Sequence, residues 1–367
     1  MSITEKSNDA GTITPLLEVR DLRKHFVATR GLTRKVVGRV RAVDGVDFSI
    51  NEGETLALVG ESGCGKTTTG RCIIRAVEPS SGKILYSAGN HATDDYAAGD
   101  HSQSAEPIDI TALPRRELRH LRTKMRLVFQ DPYASLNPRM TIAQIISEPL
   151  IINELVPRAS DARDRVAELL RLVRLDPVFM DRYPHAFSGG QRQRIAIARA
   201  LAPKPRFLIA DEPVSALDVS VQAQVLKLLK ELQQELGGLT YLFIAHNLSV
   251  VKYQSDHVAI MYVGKIVEYA ETEELFVSPR HPYTEALISA APFADPEAAR
   301  KKRRIVLKGD VANPAAPPSG CYFHPRCPYA QGLCSQEEPA LRNLGTADAP
   351  HTVACHFAEE LELRGIE

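Results

Sequence analysis

A glycine-rich segment between a short apolar run and a helical pattern constrains the fold of this chain more than any other feature. Gly60–Thr67 reads Gly-Glu-Ser-Gly-Cys-Gly-Lys-Thr and fits G-x-x-x-x-G-K-[ST]. It follows an apolar run at residues 54–59 and precedes a helical pattern over residues 68–76. In such a loop backbone N–H groups surround phosphate oxygens, so we expect Lys66 to reach the β- and γ-phosphates and Thr67 to ligate Mg²⁺. The spacing predicts a nucleotide-binding strand, loop and helix; the alternative is a glycine-rich turn that matches by chance.

Two adjacent carboxylates follow a second unbroken apolar run. Asp211 and Glu212 come directly after residues 206–210, which have the character of a buried parallel strand. Beside a phosphate loop, the first carboxylate can hold Mg²⁺ through water and the second can orient or deprotonate an attacking water. By itself, such a pair is more often a helix cap or a solvent-facing turn. Together with the phosphate loop, it predicts hydrolysis of a nucleoside triphosphate.

A third segment, Phe187-Ser-Gly-Gly-Gln191, precedes a helix over residues 192–201. Ser188 is a good N-cap, and Gly189 and Gly190 expose backbone N–H groups at the positive end of that helix. A simple capped helix explains Ser188 but not the two glycines, because glycine in a first turn is entropically costly. The segment suits a phosphate that arrives from outside.

Composition excludes several classes of function. The 367 residues include 45 Lys plus Arg and 45 Asp plus Glu, so no net charge favours nucleic acid as a partner. No apolar stretch approaches the about 18–20 residues of a membrane span, and the first 15 residues are polar rather than signal-like. We expect a cytoplasmic protein whose membrane role, if any, comes through partners.

Patterning along the chain predicts an α/β core with additions. Residues 17–26 and 42–50 alternate like strands of an antiparallel layer, and residues 113–187 look helical. The run 240–245 repeats the buried-strand character of 206–210 after a helical stretch, which indicates a doubly wound sheet.

Three regions stand apart from this core. Residues 1–16 are expected to be a flexible N-terminus, and residues 87–107 a flexible insertion because they hold almost no large apolar side chains. The main domain is assigned to 17–278, and residues 279–367 to a separate C-terminal region with many prolines.

That C-terminal region contains four of the six cysteines: Cys321, Cys327, Cys334 and Cys355. In a reducing compartment such a cluster suggests an iron–sulfur or zinc site before disulfides. The wide gaps lack the C-x2-C spacing of common zinc sites. Free thiols and a zinc site that includes His324, His351 or His356 remain alternatives.

The order of these motifs resembles the nucleotide-binding subunit of ABC transporters over residues 17–275. The resemblance implies a P-loop core with an antiparallel layer and an inserted helical subdomain at about 113–187. It also implies a head-to-tail dimer in which the phosphate loop of one subunit and the Ser-Gly-Gly-Gln segment of the other enclose each ATP. Gln130 matches the lid glutamine and His246 the histidine that touches the γ-phosphate, while Phe26 matches the adenine-stacking aromatic and Asp218 an aspartate that communicates across the dimer.

These assignments give three groups of expected site residues. The expected catalytic residues are Glu212, His246 and Gln130. The expected Mg²⁺ contacts are Thr67, Gln130 and Asp211. The expected nucleotide contacts are Phe26, Gly60, Glu61, Ser62, Gly63, Cys64, Gly65, Lys66, Thr67, Thr68, Ser188, Gly189, Gly190, Gln191 and Asp218.

A closer resemblance is to the dipeptide and oligopeptide importer ATPases. It is carried by Val128–Met140, Arg280–Ser289 and Pro317–Ala330. The Phe-Ser-Gly-Gly-Gln-Arg-Gln-Arg form is similar to the second of the two ATPases of such importers, which implies a heterodimer. The family further implies two membrane-spanning permeases, an extracytoplasmic binding protein and a place on the cytoplasmic face of the inner membrane.

Family members with a similar tail carry a [4Fe-4S] cluster, which implies that the four cysteines ligate one here. The cargo is expected to be peptides, with a nickel chelate or another small solute as an alternative. A soluble ABC ATPase would show tandem cassettes or a long coiled coil, and an iron–sulfur redox protein would leave the Ser-Gly-Gly-Gln segment unexplained.

Overall fold

The computed structural model of the chain describes residues 15–30, 35–87, 106–157, 159–291, 304–346 and 349–366. The predicted flexible N-terminus lies outside these residues except for its last two positions. The predicted insertion at 87–107 lies outside them except for positions 87, 106 and 107.

Within the described residues, the strands form two sheets. The smaller, antiparallel sheet has the spatial order β2 (Lys35–Ile50), β1 (Leu17–Arg30), β4 (Ser81–Tyr86) and β5 (Ile108–Asp109). The larger sheet has the order β11 (Arg342–Asn343), β12 (Thr352–Val353), β10 (Lys265–Glu271), β9 (His257–Tyr262), β3 (Thr55–Val59), β8 (Thr240–Ala245), β7 (Phe207–Asp211) and β6 (Met125–Val128). The strands from β9 to β6 run parallel to one another, so their carboxyl ends share one edge.

The helices of the described residues pack around these sheets. They are α1 (Lys66–Ile73), α2 (Arg115–Lys124), α3 (Pro132–Ser135), α4 (Ile142–Ile152), α5 (Ala159–Leu172), α6 (Gly189–Leu201), α7 (Val219–Glu235), α8 (Leu248–Gln254), α9 (Thr272–Val277), α10 (Pro282–Ala290) and α11 (Gly332–Gln336). Short 3-10 helices lie at Pro177–Asp181, Pro184–Ala186 and His324–Arg326. In the described ranges, none of the helices combines the length and apolar character of a membrane-spanning segment.

The central strands are apolar throughout because both faces of the larger sheet are covered. Successive residues of β3 alternate between two cores: Leu56 and Leu58 face the antiparallel sheet and α1, whereas Ala57 and Val59 face the other side. The unbroken apolar run is therefore the sequence of a strand buried on both faces, as predicted for this sheet.

The prediction that residues 113–187 are helical is wrong at β6. Met125–Val128 pairs in parallel with β7 and forms the edge of the larger sheet. The helices α3, α4 and α5 follow this strand and pack with α6. Four residues are too few to show a period, so pairing with β7 decides their conformation.

The predicted C-terminal region at residues 279–367 packs against the main domain. Strand β12 pairs with β10 through Glu268 and Val353, so the tail extends the larger sheet. Tyr322 and Phe323 are buried in the same core as the central strands. A tail this small lacks a core of its own, and docking onto the main core supplies one.

Candidate functional site

The phosphate loop turns directly from β3 into α1. Gly65 adopts φ +110°, and a Cβ there would lie 2.0 Å from the carbonyl oxygen of Ala42, so only glycine fits. Lys66 is 4% exposed, and its Nζ donates to the carbonyl oxygens of Gly60 at 2.7 Å and Glu61 at 3.1 Å. The ammonium is thus held inside the loop, where a phosphate can replace these carbonyls as its partner.

The other predicted members of the loop differ in exposure. Ser62 and Gly63 form its exposed tip, Cys64 is buried, and Thr68 is partly buried in the first turn of α1.

A hydroxyl and a carboxylate face each other beside this loop. Thr67 Oγ1 donates to Asp211 Oδ1 over 2.8 Å. Burial raises the pKa of Asp211, and the hydrogen bond from Thr67 offsets only part of that effect. Two oxygen donors of this kind, one of them a buried carboxylate, suit a hard cation such as Mg²⁺.

Glu212 is held by contacts from two neighbouring strand ends. Its carboxylate oxygen Oε2 lies 3.0 Å from Gln130 Nε2 and 3.2 Å from His246 Nδ1. Its backbone is left-handed at φ 46°, and its N–H donates to the carbonyl oxygen of Ile244 on β8. The carboxylate therefore points out of the sheet edge in a fixed direction.

The predicted catalytic and Mg²⁺ residues come together because of the sheet order. They lie at or after the carboxyl ends of β3, β6, β7 and β8, which are adjacent in the order β3-β8-β7-β6. In an open α/β sheet this edge is where ligands bind. The sequence prediction grouped these residues by motif, and the strand pairing brings them together in space.

The Ser188 segment forms a capping box at the start of α6. Gln191 N donates to Ser188 Oγ at 3.4 Å, and Ser188 N donates to Gln191 Oε1 at 3.0 Å. A Cβ on Gly190 would lie 2.3 Å from Cγ1 of Val221 in α7, so close packing of two helices requires this glycine. Among the described residues, no hydrogen bond joins this segment to the phosphate loop of the same chain.

The two remaining predicted contacts lie on the surface. Phe26 is 40% exposed, with Lys24 Nζ 4.8 Å from its ring centroid. Asp218 is exposed and precedes α7 without a hydrogen bond from its side chain to the helix.

The four C-terminal cysteines form no disulfide with one another and line one cavity. Burial raises the pKa of Cys327 to about 12 and that of Cys355 to about 11, and the neighbouring thiols act in the same direction. Within the part of the chain that the structure describes, no three His, Cys, Asp or Glu side chains are grouped closely enough to hold a metal ion. The [4Fe-4S] prediction is not supported by this geometry and stays a prediction.

Sequence reasoning missed two residues that contact the phosphate loop. Arg326 pairs with the Glu61 carboxylate, and Tyr283 accepts a hydrogen bond from Glu61 N. Neither belongs to a nucleotide-binding pattern, and both follow Glu61 by more than 200 positions. No local signal in the sequence could have paired them.

Comparison with known proteins identifies the family. A family model described as "ABC transporter" matches residues 43–215, and one described as "Oligopeptide/dipeptide transporter, C-terminal region" matches residues 267–334. The oligopeptide transport ATP-binding protein AppF of Bacillus subtilis is 48% identical over 93% of this chain and 97% of its own length. The chain belongs to the ABC transporter ATP-binding proteins. A probable peptide ABC transporter ATP-binding protein of Sinorhizobium fredii, y4tS, is also 48% identical, over 93% of this chain and 89% of its own.

Solved structures agree with this ABC ATPase fold. The ATP-binding cassette MJ0796, solved as a dimer bound to ADP and Pi, aligns with a TM-score of 0.57 and 26% identity, covering 70% of this chain and 98% of that one. CbiO1 of Clostridium perfringens aligns with a TM-score of 0.56 and 28% identity, covering 71% of this chain and 90% of that one. The resemblance to importer ATPases is confirmed, and this chain is an ATPase of that family.

Proposed function

We propose that this chain binds and hydrolyses ATP to power the import of di- or oligopeptides through an ABC transporter. One observation carries the ATPase part: Gln130 and His246 both hold the Glu212 carboxylate beside the pair of Thr67 and Asp211. The peptide cargo is supported by relatives named for oligopeptide transport that align over nearly the whole chain.

In this proposal each side chain acts on one part of the nucleotide. The N–H groups of the phosphate loop and Lys66 hold the phosphates, and Phe26 stacks on the adenine. Thr67, Asp211 and Gln130 hold Mg²⁺, which neutralises charge on the β- and γ-phosphates. Glu212 orients the attacking water and accepts its proton, while His246 keeps the Glu212 carboxylate in place.

The Ser188 segment acts on the ATP of a second subunit. Its helix N-terminus is free of its own phosphate loop, and Ser188 Oγ with the Gly189 N–H can bind an incoming γ-phosphate. Asp218 lies at the same surface and relays closure to the other site. The sequence form around Phe187 favours a heterodimer with a second, related ATPase.

Two permeases and an extracytoplasmic binding protein complete the proposed importer. The chain then sits at the cytoplasmic face of the inner membrane through its permease contacts. Tyr133 and Ile152, which follow Gln130 at the surface of the helical subdomain, are 61% and 55% exposed. This surface is the proposed place of the permease contact.

Two substitutions test the ATPase assignment in the complex reconstituted with its permeases. Glu212→Gln should leave ATP binding intact and lower peptide-stimulated hydrolysis by about 10²-fold or more, because the water loses its base. Lys66→Ala should weaken ATP binding itself. Undiminished hydrolysis in the Glu212→Gln complex would remove Glu212 from the reaction.

The four C-terminal cysteines are proposed to ligate a structural [4Fe-4S] cluster. The proposal is supported by the position of the four cysteines that would hold the cluster, since all four line one cavity. Of the histidines in the zinc alternative, His324 and His356 line the same cavity, and the His351 ring pairs with buried Glu268 at 2.7 Å. A positive centre would also stabilise the thiolates that burial alone disfavours.

Anaerobic purification tests this cluster. The full chain should absorb in the visible range and contain about four irons, the Cys327→Ser variant should lose both, and Cys72→Ala should keep both. A colourless, iron-free wild-type chain would contradict the assignment.

A further inference from the structure

Glu61, the second residue of the phosphate loop, is held by three groups at once. Its carbonyl oxygen accepts from Lys66 Nζ at 3.1 Å, and its N–H donates to Tyr283 Oη at 2.9 Å. Its carboxylate makes two hydrogen bonds with the Arg326 guanidinium, at 2.6 and 3.1 Å. Two of the three groups come from outside the nucleotide core.

Arg326 has a largely buried side chain and packs near an aromatic cluster. Its side chain is 8% exposed, and its guanidinium carbon lies 6.0 Å from the ring centroid of Tyr262. Tyr262, Tyr283 and Phe323 form a buried cluster in which ring centroids lie 4.8 to 5.3 Å apart. The Arg326 guanidinium donates both hydrogen bonds to the Glu61 carboxylate, and a bidentate pair of this kind is among the strong charge-assisted contacts.

The two outside groups belong to the tail. Tyr283 is in the first turn of α10, and Arg326 ends the 3-10 helix between Cys321 and Cys327. We propose that Arg326 and Tyr283 are positioning residues that hold the phosphate loop in its nucleotide-binding shape, so that docking of the cysteine segment sets the affinity of the chain for ATP. This inference rests on the proposed ATP site and adds its regulation by the tail.

Arg326 affects ATP binding through the charge of Glu61 as well as through the shape of the loop. The Glu61 carboxylate is 30% exposed and lies in the loop that receives the phosphates. Unpaired, it would repel ATP and compete for Lys66, and Arg326 neutralises it. The hydrogen bond to Tyr283 also turns the Glu61 N–H away from solvent and fixes the backbone at the start of the loop.

Equilibrium binding to the full chain tests this, using an ATP analogue whose β–γ bridging oxygen is replaced by NH so that no turnover occurs. Arg326→Met should weaken binding by about tenfold, because a negative charge is left unpaired beside the phosphates. Tyr283→Phe should weaken it severalfold while keeping the aromatic packing. Arg163→Met removes an equally bidentate pair with Asp181 on the helical subdomain, and binding should stay unchanged.

The diagnostic measurement is the same substitution with Glu61→Gln already present. There Arg326→Met should change binding by less than about twofold, since its effect acts through the Glu61 carboxylate. An undiminished effect of Arg326→Met in that background would overturn the inference, as would wild-type affinity in Arg326→Met and Tyr283→Phe.

Thermal melting checks that each variant is folded, and Arg326→Lys replaces Arg326→Met if the latter is not. Arg326→Lys should then weaken binding by a smaller factor, because the charge stays and the bidentate geometry is lost. A wild-type chain that fails to bind the analogue would instead overturn the proposed function, and the inference with it.

Discussion

At the scale of single residues, the site depends on Glu212, whose left-handed φ of 46° is uncommon for a residue with a side chain. Such a conformation costs on the order of 1–3 kcal/mol and persists only where the surroundings fix it. Here the bond from Glu212 N to Ile244 O fixes the backbone, and Gln130 and His246 fix the carboxylate. The left-handed backbone is therefore part of what fixes the direction of the Glu212 carboxylate.

The identity of these residues could be read from the sequence because each belongs to a motif with a chemical reason. The structural reason for a glycine at position 190 could not be read from the sequence. The sequence pattern assigned Gly190 to phosphate binding. In the structure, the atom nearest to a Cβ at this position belongs to Val221, and no spacing within the segment reveals that contact. The phosphate contact of Gly189 stays a prediction.

Asp44 gives a pH-dependent prediction at this scale. Burial raises its pKa, but hydrogen bonds from His25 and Tyr322 and the charge of Lys265 outweigh burial and lower it below the usual range. A lowered carboxyl pKa adds stability that is present above the unfolded-state pKa of about 3.9 and is lost as the pH falls through the folded-state value.

We therefore expect Asp44→Asn to lower the free energy of unfolding by about 1–3 kcal/mol at pH 7, since His25 and Tyr322 lose a charged partner. Urea unfolding at several pH values would measure this. The difference from wild type should shrink as the pH falls below about 4, because Asp44 itself then becomes protonated. A difference that grows over that acidic range would contradict this account of Asp44.

At the scale of elements, strands β8 and β6 show what patterning can and cannot predict. Residues 240–245 were predicted as a strand and form β8 with the same bounds, because a buried central strand shows as a continuous apolar run. Residues 125–128 were predicted as helix, and they form a strand through pairing with β7, about 80 positions later. The local pattern is enough to predict β8, whereas β6 depends on a partner that is distant in the sequence.

The contact between α6 and α7 gives a prediction for a pair of elements. Gly190→Ala should lower the free energy of unfolding by about 1–3 kcal/mol, because the added methyl meets Val221 at 2.3 Å and forces the helices apart. Gly189→Ala should lower the free energy of unfolding by less, since its Cβ would lie 3.3 Å from the movable end of the Leu217 side chain. Denaturant unfolding of the two variants compares them directly.

Val221→Ala supplies the matched rescue for this contact. In the Gly190→Ala chain, Val221→Ala should restore most of the lost stability. In the wild-type chain, Val221→Ala alone should lower the free energy of unfolding, because it leaves a cavity between α6 and α7. Equal stability losses in Gly190→Ala with and without Val221→Ala would show that the helix contact is not the cause.

At the scale of the whole molecule, the tail packs closely against the nucleotide-binding core. Sequence composition separated residues 279–367 because prolines and cysteines replace the alternation of strands there. The docking contacts include two residues of β12, the rings of Tyr322 and Phe323, and the Arg326 pair. Each contact joins the tail to a core residue that is distant in the sequence. Local patterning cannot reveal such contacts, so it predicted a boundary before the tail.

This arrangement predicts that damage to the cysteine segment reaches the ATP site. Cys327 follows Arg326 directly, so Cys327→Ser should loosen the guanidinium and weaken binding of the non-hydrolysed ATP analogue by about three- to tenfold. With Glu61→Gln present, the same substitution should change binding by less than about twofold, because the carboxylate that Arg326 neutralises is gone. Cys72→Ala, in α1 and away from the cavity, should leave the affinity at its wild-type value. If Cys327→Ser removes visible absorption and iron while the affinity stays unchanged, the cysteine segment and the phosphate loop are not coupled.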